Sequence, residues 1–76
     1  MSRLTPIHFR RFCKILEKEG FSFSGQSGDH LIYHKAGISR AIVIPRYKQL
    51  PIFIIKNNLR TAGISREKYL KILKEI

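Results

Sequence analysis

The sequence has little of what stabilises or anchors many small proteins, with one cysteine, Cys13, and no tryptophan among its 76 residues. A single thiol cannot form an intrachain disulfide or supply a cysteine-based zinc cluster, which excludes the disulfide-stabilised class of small secreted domains. An unpaired cysteine suits a reducing compartment, so we expect a cytoplasmic protein.

Long apolar runs are also missing, since no segment approaches the roughly 20 residues of a membrane-spanning helix. The first residues lack the apolar stretch and small-residue cleavage site of a secretory signal, so we expect no membrane partner. Hydrophobic residues still make up 43% of the chain, which is enough for a folded core. A chain of 76 residues supports only one such core, and we expect a single domain over residues 1–76.

Acidic residues are scarce: five Asp and Glu stand against fifteen Lys and Arg, for a net charge of +10. Between positions 20 and 64 the only acidic residue is Asp29. This imbalance predicts a polyanionic partner, either a nucleic acid or an acidic protein. The alternative is a solvated basic face that keeps a small protein soluble.

Apolar residues at steps of three and four predict a first helix near the N-terminus. Thr5 is its predicted N-cap, Pro6 its first helical residue and Gly20 its end. Cys13 falls on the apolar side of this helix, where we expect an inert core residue.

Three strands are predicted next, because apolar and polar residues alternate in "FSFS" (21–24) and β-branched residues dominate "RAIVIP" (40–45). Gly25 and Gly28 are predicted to flank a tight connection to a second strand at about 29–35. Short connections favour an antiparallel meander.

A second helix is predicted to start at Pro51 and end at Gly63, and Ser65 is predicted to cap a third. The sequence therefore predicts an α+β sandwich of order α-β-β-β-α with an extra short C-terminal helix. In this arrangement the helices cover one face of a three-stranded antiparallel sheet and leave the other face open.

His30 and His34 could share a metal ion on a helix, where a spacing of four brings two side chains together. On a strand the same spacing separates them by roughly 13 Å, at about 3.3 Å per residue, which is too far for joint coordination. We therefore expect no metal ion. No serine or cysteine nucleophile with a matching histidine and acid is evident.

Proton transfer by one imidazole is the remaining chemistry for His30. Strand alternation places Leu31 and Tyr33 in the core and His30 and His34 on the open face. RNA supplies its own nucleophile, the 2′-hydroxyl, and cationic side chains stabilise the negative phosphorane without a metal. Spacing alone favours a structural role for His30, because a lone histidine on a sheet is more often structural than catalytic.

Three segments in order resemble the HicA toxin family of bacterial toxin–antitoxin modules: "GDHLIY" (28–33), "AIVIPRY" (41–47) and "IIKNNLRTAGISREKYLKIL" (54–73). The match runs from about Thr5 to Leu73. The resemblance implies a fold similar to the double-stranded RNA-binding domain. It also implies a messenger RNA endonuclease that arrests translation.

The family's catalytic histidine follows Gly and Ser or Thr at the start of the second strand, and His30 matches that position. Gly28 corresponds to the motif glycine, while Asp29 stands where the common pattern has Ser or Thr. Tyr47 stands where many members have a histidine after the proline-ended strand. The resemblance thus implies that His30 is catalytic.

RNA is the expected ligand, and no cofactor is implied. Besides Gly28, we expect four cations to contact phosphates, namely Lys35, Arg40, Arg46 and Lys48. Backbone contacts carry little sequence information, so we expect weak selectivity. The resemblance also implies a cognate HicB-type antitoxin, an acidic-faced partner that covers His30.

Two other functions remain open. One is a module that binds structured RNA without cutting it, because this fold needs no catalytic residue for binding. The other is a protein-interaction domain whose charge serves only an acidic partner.

Overall fold

The computed structural model describes residues 4–76. Its elements are α1 (Phe9–Lys18), β1 (Ser22–Ser27), β2 (His30–His34), β3 (Ile42–Pro45), α2 (Ile52–Ala62) and α3 (Arg66–Glu75). The strands form one antiparallel sheet in the order β1-β2-β3. The predicted α+β order, with a three-stranded sheet and an extra C-terminal helix, is confirmed. The first three residues of the predicted domain lie outside the described part.

The first helix starts later than predicted. Its N-cap is His8, whose Nδ1 accepts a hydrogen bond from the backbone N–H of Arg10 at 3.1 Å. Thr5 and Pro6 precede the helix and belong to no helix or strand, so their assignment as its cap and first residue was wrong.

A tertiary contact explains this difference. Ile7 and Leu50 form an isolated antiparallel bridge, in which the N–H of Leu50 donates to the carbonyl oxygen of Ile7 at 2.6 Å. A residue paired in this way is extended, so the helix can begin only after it. Local sequence carries no sign of a partner 43 positions away.

The connection between β1 and β2 is shorter than predicted. Gly25 lies inside β1 opposite Ile32, next to a bulge, and therefore does not flank the turn. The turn itself consists of Gly28 and Asp29, and Gly28 has a φ of +58°. Two-residue hairpin turns require positive φ, which glycine adopts without strain.

Apolar residues of the three helices and the sheet form one core. The sheet contributes through one face only: Tyr33 is buried and Leu31 packs against the core, while His30 and His34 are exposed. The residues with no exposed surface are Phe12, Ile15, Leu16, Ile42, Ile44, Leu50 and Ile55. The alternation predicted for β2 is therefore present.

The C-terminal helices have the predicted boundaries. Pro51 is the N-cap of α2, and Gly63 ends that helix in the left-handed conformation with φ of +73°. Ser65 caps α3, because its Oγ accepts a hydrogen bond from the N–H of Lys68 at 3.1 Å. Between residues 4 and 76, none of the helices has the length and apolar character needed to cross a bilayer.

Candidate active site

His30 is the first residue of β2 and lies on the open face of the sheet. Its neighbours across the sheet are Ser27 on β1 and Pro45 on β3. Beside it runs a groove of about 290 Å³ between the edge of the sheet and α2. This His30 groove is lined by His30, Val43, Pro45, Tyr47, Ile54, Asn57 and Asn58.

A second, larger cleft lies next to the groove, with a volume of about 450 Å³. It contains three cationic side chains and one carboxylate, together with an imidazole and two aromatic rings. We call it the cationic cleft, and it is lined by His8, Phe9, Arg10, Asp29, Arg46, Tyr47 and Lys48.

The ring of Phe9 contacts three other side chains that line the cationic cleft. The imidazole of His8 stacks on it with 4.8 Å between ring centroids. The guanidinium carbons of Arg10 and Arg46 each lie 5.7 Å from the centroid of the same ring. Because a cation is attracted to the face of an aromatic ring, Phe9 brings side chains from α1 and from the loop after β3 to one place.

Backbone hydrogen bonds fix the loop between β3 and α2. The N–H of Arg46 donates to the carbonyl oxygen of Asp29 at 3.0 Å. The N–H of Phe9 donates to the carbonyl oxygen of Tyr47 at 3.1 Å. The Ile7–Leu50 bridge holds the end of the loop. The side chains of this loop therefore start from fixed backbone positions beside His30.

Tyr47 joins the two concave surfaces, since it lines both the His30 groove and the cationic cleft. Half of its side chain is exposed. Asp29, in the cleft, directly precedes His30, in the groove. A ligand that fills both surfaces would therefore cross Tyr47 next to His30.

The predicted RNA contacts separate into two groups. Arg46 and Lys48 line the cationic cleft, and Gly28 lies in the turn just before Asp29. Lys35 and Arg40 lie at the opposite end of the sheet from His30, with the Nζ of Lys35 5.5 Å from the ring centroid of Phe21. At about 3.3 Å per residue, Lys35 is roughly 16 Å along the strand from His30.

Sequence reasoning missed His8 and Arg10 as parts of this site. His8 falls inside the helix predicted to start at Pro6, whereas the structure shows that it caps α1 and lines the cleft. Asn57 and Asn58 of the groove were missed as well. No local signal marks them, because amides on an exposed helix side are common.

His34 lies at the far end of β2 from His30 and is exposed. Within residues 4–76, no three His, Cys, Asp or Glu side chains come close enough together to hold a metal ion. The two strand histidines therefore occupy separate places on the open face.

The core holds the other reactive group, Cys13. Burial raises the pKa of its thiol, and it also raises the pKa of Tyr33, whose hydroxyl donates to the carboxylate of Glu17 at 3.2 Å. Both groups therefore stay protonated at neutral pH. A buried thiol is a poor nucleophile, so Cys13 is not a candidate for the reactive group.

The family model described as "HicA toxin of bacterial toxin-antitoxin" matches residues 9–64 of the chain. The comparison of the chain with curated proteins found no match. The matched region contains the whole His30 groove and every residue of the cationic cleft except His8. Toxins of this family are mRNA interferases, that is, endoribonucleases. The chain therefore belongs to the HicA toxin family of bacterial toxin–antitoxin modules, as its sequence motifs predict.

Proposed function

We propose that this toxin cleaves mRNA with His30 as its proton-transfer residue and without a metal ion. The observation that carries the proposal is the position of His30: the ring is exposed at the boundary between a groove and a cleft rich in cations. An RNA strand needs such a surface, because its phosphates require positive charge and its 2′-hydroxyl requires a base.

In the proposed step, the 2′-oxygen attacks the adjacent phosphorus while the Nε2 or Nδ1 of His30 accepts its proton. The new bond joins the 2′-oxygen to phosphorus, and the bond from phosphorus to the 5′-oxygen breaks. The 5′-oxygen takes a proton from water, and the hydroxide that remains takes back the proton that His30 accepted. The products are a 2′,3′-cyclic phosphate and a free 5′-hydroxyl.

The cationic cleft supplies the charge stabilisation for this step. Arg46 and Lys48 bind the phosphate at which the negative charge develops, and Arg10 adds to the local positive potential. Gly28 has open space where a side chain would stand, which leaves room for the RNA backbone beside the turn. Lys35 and Arg40 contact phosphates further along the same strand.

Cleavage of mRNA in EDTA by the wild type and by His30→Ala tests the proposal. His34→Ala is the matched control, because His34 is exposed on the same face of the same strand. We expect His30→Ala to lose at least roughly 100-fold in cleavage rate, the usual size of a general-base contribution. We expect His34→Ala to keep the wild-type rate.

Two results would contradict the proposal. Loss of cleavage by the wild type in EDTA, with recovery on adding Mg²⁺, would show that a metal is required. RNA binding without any cleavage would indicate the non-catalytic binding module instead. Mass spectrometry of the products for the cyclic phosphate distinguishes this reaction from cleavage by added water.

The toxin–antitoxin family implies an antitoxin partner for this chain. We propose that it is of the HicB type and that an acidic surface of it covers the cationic cleft and His30, in the cytoplasm where mRNA is translated. Complementary charge favours fast association. Co-purification of the toxin with the product of a neighbouring reading frame, lost on reversing the charge of Arg46 and Lys48, tests this partner.

A further inference from the structure

We propose that the His30 groove binds one unpaired RNA base, stacked on Tyr47 and hydrogen-bonded by Asn57 and Asn58. This inference rests on the proposed RNA cleavage and specifies its substrate. The substrate is single-stranded RNA, and the base next to the cleaved phosphate is recognised by the protein.

The groove has the size and chemistry of a small-ligand site. Its volume of about 290 Å³ is close to the lower end of the range for such pockets, roughly 300 Å³. Val43, Pro45 and Ile54 give it apolar walls, and two amides give it polar groups. Apolar walls with a few polar groups suit a flat heteroaromatic ring better than they suit a phosphate.

Tyr47 provides the stacking surface. Half of its side chain is exposed, and its carbonyl oxygen is held by the N–H of Phe9 at the start of α1. An exposed aromatic ring on a fixed backbone loses little freedom when a base stacks on it. Stacking of this kind contributes about 1–3 kcal/mol per base in single-strand-binding proteins.

The two amides provide hydrogen bonds of different kinds. The Nδ2 of Asn58 donates to the backbone oxygen of Val43 at 3.2 Å, which fixes this amide and leaves its Oδ1 as an acceptor. The side chain of Asn57 forms no hydrogen bond within residues 4–76, so both its donor and its acceptor are available. An amide with both groups free matches the adjacent N6 donor and N7 acceptor of adenine.

The cationic cleft determines which RNA can reach the groove. Because Tyr47 lines both surfaces, a base in the groove places its phosphate next to Arg46 and Lys48. Bases in a duplex are stacked and paired inside the helix, so none can enter the groove. The arrangement therefore favours single-stranded RNA, and it favours adenine over uracil because the larger purine ring also stacks better on Tyr47.

Binding of the wild type to RNA with methylated 2′-hydroxyls tests this inference without cleavage, because the nucleophile is blocked while His30 stays in the groove. The probes are fluorescein-labelled oligonucleotides of equal length: oligo(A), oligo(U) and a fully paired duplex. Fluorescence anisotropy at fixed salt gives each dissociation constant. We expect oligo(A) to bind more tightly than oligo(U), and both single strands to bind more tightly than the duplex.

Substitutions at Tyr47 test the stacking. Tyr47→Ala is expected to weaken single-strand binding about tenfold, while Tyr47→Phe keeps it because the ring remains. Phe53→Ala is the matched control, since Phe53 is 65% exposed on α2 but does not line the groove. Thermal unfolding of each variant verifies that it is folded, and Tyr47→Leu provides a second ring-free variant.

Substitution of Asn57 tests the base recognition. Asn57→Ala should abolish most of the preference for oligo(A) over oligo(U), a change of about fivefold or more if one bidentate contact is lost. Gln49→Ala removes an exposed amide outside the groove and should leave the preference unchanged.

Equal or tighter binding of the duplex, or unchanged binding by both Tyr47→Ala and Tyr47→Leu, would overturn the base-binding groove even if the wild type cleaves RNA. The opposite combination, base-dependent binding without any cleavage by the wild type, would overturn the proposed nuclease and leave the groove standing. The two proposals therefore fail in distinguishable ways.

Discussion

The backbone N–H of Arg46 donates a hydrogen bond to the carbonyl oxygen of Asp29 over 3.0 Å. This bond continues the pairing of β2 with β3 beyond His30 and Pro45, the last pair of the two strands. It fixes Asp29, the residue that precedes His30, against Arg46, the first residue of the loop between β3 and α2. The backbone of Arg46 is therefore positioned relative to His30 by the sheet itself.

Arg46→Ala is expected to slow RNA cleavage by more than Arg40→Ala does. Arg46 lines the cationic cleft, whereas Arg40 lies at the far end of the sheet from His30. Loss of a cation that stabilises the transition state costs roughly 10²–10³-fold in rate, and loss of a remote phosphate contact costs much less. Single-turnover cleavage rates check the difference, and equal losses in the two variants would contradict the assignment of the cleft.

Asp29→Ser is expected to tighten RNA binding, because it removes the only carboxylate that lines the cationic cleft. The gain should be about two- to fivefold, the size of a screened charge interaction near the surface, and should shrink at high salt. Glu75→Ser, which changes the net charge equally but away from the cleft, is the control. A similar gain in both variants would mean that only net charge matters.

His8 both caps α1 and lines the cationic cleft, and His8→Asn distinguishes the two roles because it keeps a capping side chain but removes the imidazole. Asparagine is a good N-cap and alanine is not, so the free energy of unfolding of His8→Asn should exceed that of His8→Ala by about 1 kcal/mol. Both variants remove the imidazole that stacks on Phe9 in the cleft. Urea unfolding measures the stability, and we expect both to weaken RNA binding to a similar degree. Retained binding in His8→Asn would exclude the imidazole from the interface.

Tyr69→Phe is expected to leave the protein equally stable or to stabilise it by up to about 1 kcal/mol. The hydroxyl of Tyr69 is buried and has no hydrogen-bond partner within residues 4–76, so its removal loses no bond. Thermal unfolding at neutral pH measures the effect, and a clear loss of stability would contradict it.

Tyr69 should also make the stability of the protein depend on pH in the alkaline range. Burial raises the pKa of Tyr69 to about 12. Because burial disfavours the ionised hydroxyl in the folded state, this group leaves the free energy of unfolding constant below the ordinary tyrosine pKa of about 10 and lowers it as the pH rises from 10 towards 12. Tyr69→Phe should therefore lose less stability between neutral pH and pH 11 than the wild type does. Tyr47→Phe, at a half-exposed position, should behave like the wild type.

Local sequence signals predicted well those elements whose ends depend on local chemistry. Gly63 ends α2 with positive φ, and Ser65 caps α3 through its own hydroxyl. The alternation of β2 likewise predicted that Tyr33 is buried and His30 exposed. Each of these features depends on the residue itself and on its nearest neighbours along the chain.

The predictions that were wrong depended on strand pairing. Thr5 and Pro6 have the right chemistry to start a helix, but the pairing of Ile7 with Leu50 delays its start to Phe9. Gly25 looks like a turn residue, yet pairing with β2 keeps it in the strand. Strand pairing satisfies backbone hydrogen bonds that a local pattern does not reveal.

The sequence by itself determined the order of elements, the strongly basic charge, the family and the exposed position of His30, because periodicity, composition and motifs are local properties. Only the tertiary structure decided that His8, Arg10, Arg46 and Tyr47 surround one cleft beside that histidine, while Lys35 and Arg40 lie elsewhere. The physical reason is that the cleft is assembled by the ring of Phe9 and by backbone hydrogen bonds between segments about 40 residues apart, which local spacing cannot specify.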